Sequence, residues 1–570
     1  MTMTAVKEAR IRILATSDLH GKFVPWNYLT NEESTSGSLA QLSSAVKEYR
    51  NDHTLLLDAG DSLQDNLASL FAERGGIHPM TIGMNAIGYD ICLSGNHDYD
   101  YGMAAVKQYL RDLTACSLTG NVYDENGARL ADGYVVKEVD GVRVAVIGMT
   151  TPVIALMNRK QLEGCTVTDP LEETRAILEE IEGSYDVLIG LYHMGLNAEY
   201  NIVHSSVTEI CEECPQFDLV IASHEHELVV GTELNGVLTV MNRDQARTMS
   251  VIDLTLRQEE SGWKIVQKKP SSVDVGTYPA DPELVTLLQS YDEAAKQEAG
   301  IVIGELTGVD MVPEQKIEGL PVMELEPTPL ANLILDVMRH YSGAAVASFS
   351  AADPYTTLEP GPICKSDISK IYKFGNHLSL VRMNGEQLKQ LMEWNSNYFN
   401  TVQKGDCTAS IRKDMQDYYW QFFGGVRYEI NLSKEPGERV ERLTWMDGTP
   451  VRKTDTFDFA CTDYMCNTLL LNKGALYEAD AMPELVEPDV HGEIGGIREL
   501  IGDYIMHVKN GRITPDREQN WKLTGFPWNE EIRKRVEAFA ARDLIPQDHI
   551  DAVGHLFRAV TEQMLKKLDQ

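Results

Sequence analysis

The sequence of 570 residues lacks long apolar runs and an excess of basic residues. No stretch of about 18 consecutive apolar residues occurs, which argues against a membrane-spanning helix. Lys and Arg number 51 against 86 Asp and Glu, a formal net charge of −35. Because phosphate backbones and anionic lipid surfaces are held by cationic side chains, this balance argues against a nucleic-acid polymer or a membrane as partner. It still allows a small phosphorylated substrate where metal ions supply local positive charge.

A secretory leader is also absent from the first residues, MTMTAVKEARIRILATSDLHG. They contain no basic segment followed by an apolar core and a small-residue cleavage site. We therefore expect a cytoplasmic protein, or an exported one if a leader peptide has been removed. The nine cysteines include one pair at zinc-site spacing, Cys211 and Cys214, with no second pair to complete the site. Two ordinary thiols fit this pattern better than zinc, and a reducing compartment is favoured.

The chain is too long for one hydrophobic core, so we expect two domains. We expect the protein to be a monomer. Short apolar runs alternate with amphipathic stretches in the N-terminal part, which is typical of α/β layering. Six strands are predicted there, at 11–17, 54–60, 90–95, 142–148, 186–193 and 218–223. The predicted organisation is a first domain at 1–280, a connector with a helix at 281–325, a second domain of the α+β class at 326–525 and a helical tail at 526–570.

Five of these six strands end in Asp, Asn or His side chains. In chain order the residues are Asp18, His20, Asp61, Asn96, His97, His193, His224 and His226. One such residue is usually a helix N-cap or a hydrogen-bonded side chain, but five strand ends of this kind form a pattern. The carboxyl ends of the strands in an open α/β sheet share one rim. We therefore expect these side chains to converge.

The donor types indicate a metal site. Without His97 the set holds seven oxygen and nitrogen donors and no thiolate, which suits Mn, Zn, Fe or Co, with Mn or Zn preferred. Seven donors exceed what one open catalytic ion takes, but they suit two divalent ions about 3.5–4 Å apart that share a carboxylate. Asp61, on a tight Gly-Asp turn, is the natural bridge. Such a cluster would be costly to bury without cations.

The motifs D-x-H, G-D, G-N-H, a single H and H-x-H, in this order, resemble the calcineurin-like metallophosphoesterases. The resemblance implies an α/β fold of four layers, a β-sandwich flanked by helices, and hydrolysis of phosphoesters with two metal ions. It assigns one ion to Asp18, His20, Asp61 and His226, and the other to Asp61, Asn96, His193 and His224. The family usually has G-H-x-H, whereas Ser223 stands at the glycine position here.

His97 has its own role in this resemblance. It would point past Asn96 toward the leaving-group oxygen, where it donates a proton or stabilises negative charge. Asp100 would accept from the other ring nitrogen and fix the orientation of His97. Asp98 is the alternative orienting residue, and the G-N-H-x-x-D pattern favours Asp100.

The second domain resembles the C-terminal domain of bacterial 5'-nucleotidases, and more closely that of 2',3'-cyclic-nucleotide 2'-phosphodiesterase/3'-nucleotidases. The stretches that carry this resemblance are PLANLILDVMRHYSGAAVASFSAADPY, GPICKSDISKIYKFGNHLSLVRMNGEQLKQLMEWNSNYFN, FGGVRYEINL and FACTDYMC. The segments SAADPY and EWNSNYFN favour the cyclic-phosphodiesterase branch. The Arg-containing, Gly-rich segment expected of the 5'-nucleotidase branch near 350–356 is absent from the sequence.

The resemblance also implies a nucleobase site. Phe374 and Tyr464 would stack on the two faces of the base, and Asn376 would hydrogen-bond to it. The alternative is that both aromatic residues belong to the core. Relatives commonly have a Gly-Gly-rich turn after the second aromatic residue, and this chain has 469–471, three leucines, near the expected ribose site.

Together these features predict a dinuclear-metal phosphohydrolase that opens 2',3'-cyclic nucleotides, with 3'-nucleotides as a second expected substrate. A 5'-nucleotidase or nucleotide-sugar hydrolase is one alternative. A non-catalytic binding protein on the same fold is the other. In each case the expected partner is a small nucleotide.

Overall fold

The computed structural model describes residues 7–64, 67, 70–71, 76–260, 262–413 and 415–569. The chain divides into two compact units, Met1–Ala299 and Gly300–Gln570. The helix Pro282–Ala299, which the sequence suggests as part of a connector, lies in the first unit. Its Leu284 and Leu288 are buried in the core of that unit, so burial of its apolar face determines where it belongs.

The first unit contains two six-stranded sheets. In spatial order the first sheet comprises Gly262–Asp274, Thr248–Glu259, Glu8–Thr16, Thr54–Asp58, Ile91–Leu93 and Cys116–Leu118. The second comprises Val229–Leu234, Val237–Met241, Leu219–Ala222, Val187–His193, Val142–Thr150 and Tyr134–Val139. All six strands predicted from the sequence are present in these sheets. In the second sheet the four central strands are parallel and the two edge strands are antiparallel to their neighbours. In the first sheet the strands from Glu8–Thr16 to Cys116–Leu118 are parallel, and the hairpin Thr248–Glu259 with Gly262–Asp274 joins Glu8–Thr16 antiparallel.

The two sheets pack face to face over one apolar core. Side chains from both sheets meet there, among them Ile13, Leu57, Val146, Ile189 and Ile221. A strand buried on both faces reads as a continuous apolar run, and Val187–His193 is buried at every position.

Helices cover the outer face of each sheet. The first sheet is covered by Leu39–Tyr49, Pro79–Ile87, Gly102–Asp112 and Pro282–Ala299, and the second by Pro170–Glu180 and Val207–Glu213. Local sequence fixes where they begin, since Ser38 and Asp169 accept hydrogen bonds from the first backbone N–H groups of their helices. The result is the four-layer sandwich expected from the resemblance.

Smaller elements complete the first unit. They are the strand pairs Trp26–Asn27 with Glu32–Glu33 and Val122–Tyr123 with Thr166–Val167, the helix Ile154–Met157, and the 3-10 turns His97–Tyr99 and Val275–Thr277. The turn His97–Tyr99 and the helix Ile154–Met157 matter for the site described below.

The second unit is built on one five-stranded sheet and two three-stranded sheets. The five-stranded sheet has the order Gln421–Gly424, Val346–Ser350, Thr456–Thr462, Leu378–Asn384 and Glu484–Glu487. The smaller sheets are Gly361–Cys364, Val302–Leu306 and Arg512–Ile513, and Val440–Trp445, Val426–Asn431 and Trp521–Thr524. The helices include Val322–Leu325, Pro329–Ser342, Lys365–Ile371, Gly385–Ser396, Ile497–Asp503, Glu530–Ala540 and Glu562–Leu565, and two π-helical turns are Cys466–Leu470 and Tyr504–Val508. One apolar core joins them.

The segment 526–570 is helical only in part. Helices cover Glu530–Ala540 and Glu562–Leu565, and the chain between them is largely irregular, with Pro546 and Gly554 unfavourable for a continuous helix. Its Val536, Phe539 and Leu565 are buried in the core of the second unit. Among the residues that the structure describes, no helix has the length and apolar character needed to cross a bilayer.

Candidate metal centre

Side chains from five strand ends meet at one rim of the first unit. They follow the strands Glu8–Thr16, Thr54–Asp58, Ile91–Leu93, Val187–His193 and Leu219–Ala222. All seven residues predicted as metal ligands lie at this rim, and the structure gathers six of them into two groups of potential ligands, with Asn96 in contact with the second. The convergence that parallel strands predict is therefore observed.

The first group consists of Asp18, His20 and His226, whose ligand atoms all lie within 4.8 Å of one another. The Nε2 atoms of His20 and His226 are 3.1 Å apart. His226 Nε2 is 3.5 Å from Asp18 Oδ1. Two imidazole nitrogens and a carboxylate oxygen thus face a common point.

The second group consists of Asp61, His193 and His224, again with ligand atoms within 4.8 Å of one another. His193 Nε2 lies 3.2 Å from Asp61 Oδ2 and 2.9 Å from Asn96 Oδ1. Asp61 Oδ2 is also 4.0 Å from His20 Nε2 in the first group. Asp61 therefore lies between the two groups, where a bridging carboxylate would have to be, and its assignment as the bridge stays a prediction.

The buried oxygen of Asp61 tests whether these residues suit a cation. Its Oδ2 accepts no hydrogen bond from the described residues, although His193 Nε2 lies 3.2 Å away, and a buried carboxylate oxygen without a hydrogen bond is costly. Burial alone would raise the pKa of Asp61, but His193, His97 and His20 outweigh it and hold the pKa well below its ordinary value. For Asp18, His226 likewise outweighs burial and lowers the pKa to about 2. Asp61 and Asp18 are therefore buried, ionised carboxylates, and a pair of divalent cations would compensate their charge.

Three of the four imidazole rings also have a hydrogen-bond partner outside their group. The partners are Gln64 Oε1 for His20 at 3.2 Å, the Ala59 carbonyl for His193 at 2.7 Å and Glu199 Oε2 for His224 at 3.0 Å, whereas Asp244 Oδ2 lies 3.8 Å from His226 Nδ1. Such partners fix the ring orientation of metal-binding histidines and raise their basicity. The sequence analysis missed these partners, because no spacing rule links them to the ligands.

The backbone at the rim is strained. Five of the predicted ligands have positive φ, namely Asp18 at 54°, His20 at 45°, Asp61 at 60°, His224 at 76° and His226 at 59°. The left-handed region costs a residue with a side chain about 1–2 kcal/mol. Hydrogen bonds between the loops stabilise this left-handed backbone, since Asp18 N donates to Gly60 O and His20 N donates to Asp61 O. Gly60 is needed for the close approach, because a Cβ there would lie 2.4 Å from Gly95 N.

His97 lies next to both groups, since its backbone N donates to Asp61 Oδ1 at 2.8 Å and its ring centroid is 5.6 Å from that of His20. The distance between His97 Nδ1 and Asp100 Oδ2 is 2.8 Å. Burial alone would lower the pKa of His97, but the charge of Asp100 and the hydrogen bond to it raise the pKa to about 10. A protonated His97 is a proton donor for a leaving group.

Asp98, the alternative orienting residue, has a different function. Its carboxylate accepts hydrogen bonds from the backbone N–H groups of Asp61, Ser62, Leu63 and Gly95. It thereby holds together the two loops that carry Asp61 and Asn96. The geometry favours Asp100 as the residue that orients His97.

The three residues predicted to bind the nucleobase lie at one end of two paired strands in the second unit. Leu378 pairs with Thr462, and Phe374 and Asn376 precede the first strand whereas Tyr464 follows the second. The two loops are joined because Asp463 N donates to the His377 carbonyl. Phe374 and Tyr464 are half-buried, and Phe374 packs against the core. The Asn376 side chain lies close to Tyr372, whose pKa is raised by burial and partly lowered again by Asn376.

The leucines after Tyr464 are part of the core. Leu470 is buried in the π-helical turn Cys466–Leu470, and Leu469 and Leu471 pack against the same core. The Gly-Gly pair Gly495 and Gly496 comes from elsewhere in the chain, and Gly496 approaches the loop that carries Asn376. A Cβ on Gly496 would lie 2.8 Å from Asn376 O, so the close approach requires glycine.

Cys211 and Cys214 are buried free thiols. Within the described part of the chain, neither belongs to a group of potential metal ligands. Cys211 lies in the helix Val207–Glu213 and packs against the second sheet. The pair therefore belongs to the core.

Comparison with known proteins identifies both halves of the chain. Residues 11–228 match the family described as calcineurin-like phosphoesterase, and residues 302–468 match the 5'-nucleotidase C-terminal domain. The trifunctional nucleotide phosphoesterase protein YfkN of Bacillus subtilis is 24% identical over 91% of this chain, which spans 39% of that protein. The 2',3'-cyclic-nucleotide 2'-phosphodiesterase/3'-nucleotidase of Yersinia enterocolitica is 23% identical over 92% of this chain and 90% of its own length.

Solved structures show the same fold. A putative 5'-nucleotidase from Staphylococcus aureus superposes with a TM-score of 0.76 at 21% identity, over 90% of this chain and 100% of that one. A 5'-nucleotidase precursor from Thermus thermophilus gives 0.62 at 19% identity, over 91% and 100%. The two family matches follow each other in one chain, and the ligand motifs lie in the first. The chain therefore combines a calcineurin-like phosphoesterase domain with a following 5'-nucleotidase C-terminal domain.

Proposed function

We propose that the protein is a dinuclear-metal phosphohydrolase that opens 2',3'-cyclic nucleotides and also hydrolyses 3'-nucleotides. The observation that carries the proposal is the buried Asp61 oxygen Oδ2, which accepts no hydrogen bond from the described residues and lies between two groups of potential ligands, with the His97–Asp100 pair alongside. The substrate class is supported by the names of relatives that match nearly the whole chain, several of which are 2',3'-cyclic-nucleotide 2'-phosphodiesterase/3'-nucleotidases.

Asp18, His20, Asp61 and His226 would hold one divalent ion, and Asp61, Asn96, His193 and His224 the other. When bound, such a pair supplies an activated water and neutralises the charge of the phosphoryl oxygens. Asn96 contributes a neutral amide oxygen, so the ligand set carries only the two negative charges of its carboxylates. Mn and Zn suit these donors.

The residues of the chain itself handle the leaving group. As the bond between phosphorus and the ribose oxygen breaks, His97 donates its Nε2 proton to that oxygen. Asp100 keeps the opposite nitrogen, Nδ1, engaged at 2.8 Å and stabilises the cationic ring. In the second unit, Phe374 and Tyr464 would stack on the base and Asn376 would bind its edge.

The direct test is a substrate panel on the purified protein. The metal is removed with a chelator, Mn or Zn is restored, and 2',3'-cyclic, 3'-, 5'-nucleotides and nucleotide sugars are assayed. We expect turnover only with metal and the highest kcat/KM with the 2',3'-cyclic substrate. A preference for 5'-nucleotides or nucleotide sugars would support those activities instead, and no turnover of any nucleotide would support a non-catalytic binding protein.

The role of the His97–Asp100 pair is tested by the variant His97→Ala. Loss of a general acid is expected to lower kcat by about 10²–10⁴-fold, with the metal content unchanged. His53→Ala is the matched control, because His53 precedes the strand Thr54–Asp58 and so lies at its opposite end from the rim. An unchanged rate in His97→Ala would show that this residue is not the acid.

A further inference from the structure

Asp100 is held from two sides. Its Oδ2 lies 2.8 Å from His97 Nδ1, and its Oδ1 accepts a hydrogen bond of 2.9 Å from Asn158 Nδ2. A carboxylate with only one partner can rotate about its terminal bond. A donor on the second oxygen fixes the plane of the carboxylate. It thereby also fixes the imidazole that is hydrogen-bonded to the first oxygen.

Asn158 is itself firmly placed. It follows the helix Ile154–Met157, its backbone N donates to Ile154 O at 2.8 Å, and the residue is 4% exposed. The same turn begins at Thr151, whose N donates to the carbonyl of the ligand His193 at 3.0 Å. The segment that carries Asn158 is therefore attached to the metal rim at its start.

The amide of Asn158 is only half used. Its Oδ1 is buried and has no hydrogen-bond partner among the described residues, which costs about 1–3 kcal/mol. An apolar side chain of similar size would avoid that cost. What the amide offers is an uncharged N–H donor to Asp100, which orients the carboxylate and leaves its negative charge for His97.

We propose that Asn158 is a positioning residue for the proton donor, which acts through Asp100 to keep His97 Nε2 directed at the leaving-group oxygen. This inference rests on the proposed phosphohydrolase function. It predicts an effect that depends on the leaving group. A ribose hydroxyl is a basic leaving group and needs the proton, whereas p-nitrophenolate departs without one.

The experiment compares Asn158→Ala and Asn158→Leu with wild type in the metal-loaded protein. Substrates are a 2',3'-cyclic nucleotide, phenyl phosphate and p-nitrophenyl phosphate. We expect the nucleotide rate to fall by up to about a hundredfold, phenyl phosphate to fall less, and p-nitrophenyl phosphate to fall least. Asn126→Ala, an exposed asparagine in the same unit, is the control and should leave all rates unchanged.

A second measurement separates positioning from a structural role. In an Asp100→Ala background, Asn158→Ala should cause no further loss, because the two residues act through one contact. Metal content and thermal midpoint are recorded for every variant. Equal losses with all leaving groups, or additive losses in the double variant, would overturn the proposal, as would unchanged rates.

The outcomes also distinguish this inference from the proposed function. If wild type cleaves aryl phosphates but no nucleotide, the proposed substrate is wrong. Comparison of phenyl phosphate with p-nitrophenyl phosphate in the Asn158 variants then still tests the role of Asn158. If wild type cleaves no phosphoester at all with any metal, both proposals are wrong.

Discussion

The metal rim of the first unit and the predicted base-binding end of the second unit are built in opposite ways. At the rim, five predicted ligands adopt left-handed backbone conformations, and the rings of His20, His193 and His224 are held by further contacts. In the second unit, Phe374, Asn376 and Tyr464 all have ordinary backbone conformations. Strained residues persist only where the surroundings over-determine them. Substitutions at the rim are therefore expected to abolish activity. Substitutions at the predicted base-binding end are expected only to weaken it.

The largest effect is expected for Asp61→Ala. Loss of the carboxylate between the two groups should release metal and lower kcat/KM at least about a thousandfold, since several kcal/mol of charge stabilisation disappear. The loss should be the same for nucleotides and p-nitrophenyl phosphate. Metal content by elemental analysis and both rates are the measurements. Asp52→Ala, which removes an exposed carboxylate before the strand Thr54–Asp58, is the control. Two retained ions would contradict a bridging role.

Glu199→Ala should have a smaller effect on the same rim. Glu199 Oε2 is 3.0 Å from His224 Nε2, and loss of such a partner typically costs about 10–100-fold in metal affinity. Titration of metal-free protein with Mn by calorimetry should show weaker binding at the second group and unchanged binding at the first.

Glu227→Ala is the matched control for Glu199→Ala. Glu227 is exposed and next to His226, so its removal changes the net charge near the rim equally. If both variants bind Mn equally well, or equally poorly, the contact between Glu199 and His224 is not what matters.

Glu199 also marks the limit of what the sequence predicts. The six strands and the seven ligands of the first unit were predicted because each ligand directly follows an apolar run, and parallel strands bring their ends together. Asn158 and Glu199 lie on connections whose course is set by tertiary packing. No periodicity or spacing places Asn158 beside Asp100, 58 residues earlier in the chain.

The second unit shows the same limit in another form. Its helix Pro329–Ser342 and strand Leu378–Asn384 follow the predicted runs closely, because amphipathic and alternating patterns report burial. The tail 526–570 reads as helical, but most of the chain after Ala540 is irregular, because burial of Leu556 and Val560 does not require a helix. The approach of Gly496 to Asn376 joins residues 120 positions apart, and no local pattern indicates it.

At the base-binding end, Phe374→Ala and Tyr464→Ala should each raise KM for nucleotides. Stacking is worth about 1–3 kcal/mol per base, so the increase should be roughly five- to a hundredfold, with little change in kcat. The rate with p-nitrophenyl phosphate, which has no base, should be unchanged in both variants. An equal loss with this substrate would show that the aromatic residues serve the core and not the ligand.

The smallest effect is expected for Asn376→Ala, which removes the one hydrogen bond that we propose to the edge of the base. Such a bond is worth about 0.5–1.5 kcal/mol, so KM should rise about two- to tenfold while kcat is retained. Because Asn376 also lies close to the buried Tyr372 and lowers its pKa, the variant alone does not separate binding from support of the loop. Tyr372→Phe removes the hydroxyl beside Asn376 and leaves the Asn376 amide in place. If Tyr372→Phe raises KM as much as Asn376→Ala does, the amide acts by holding the loop, and the direct contact with the base is refuted.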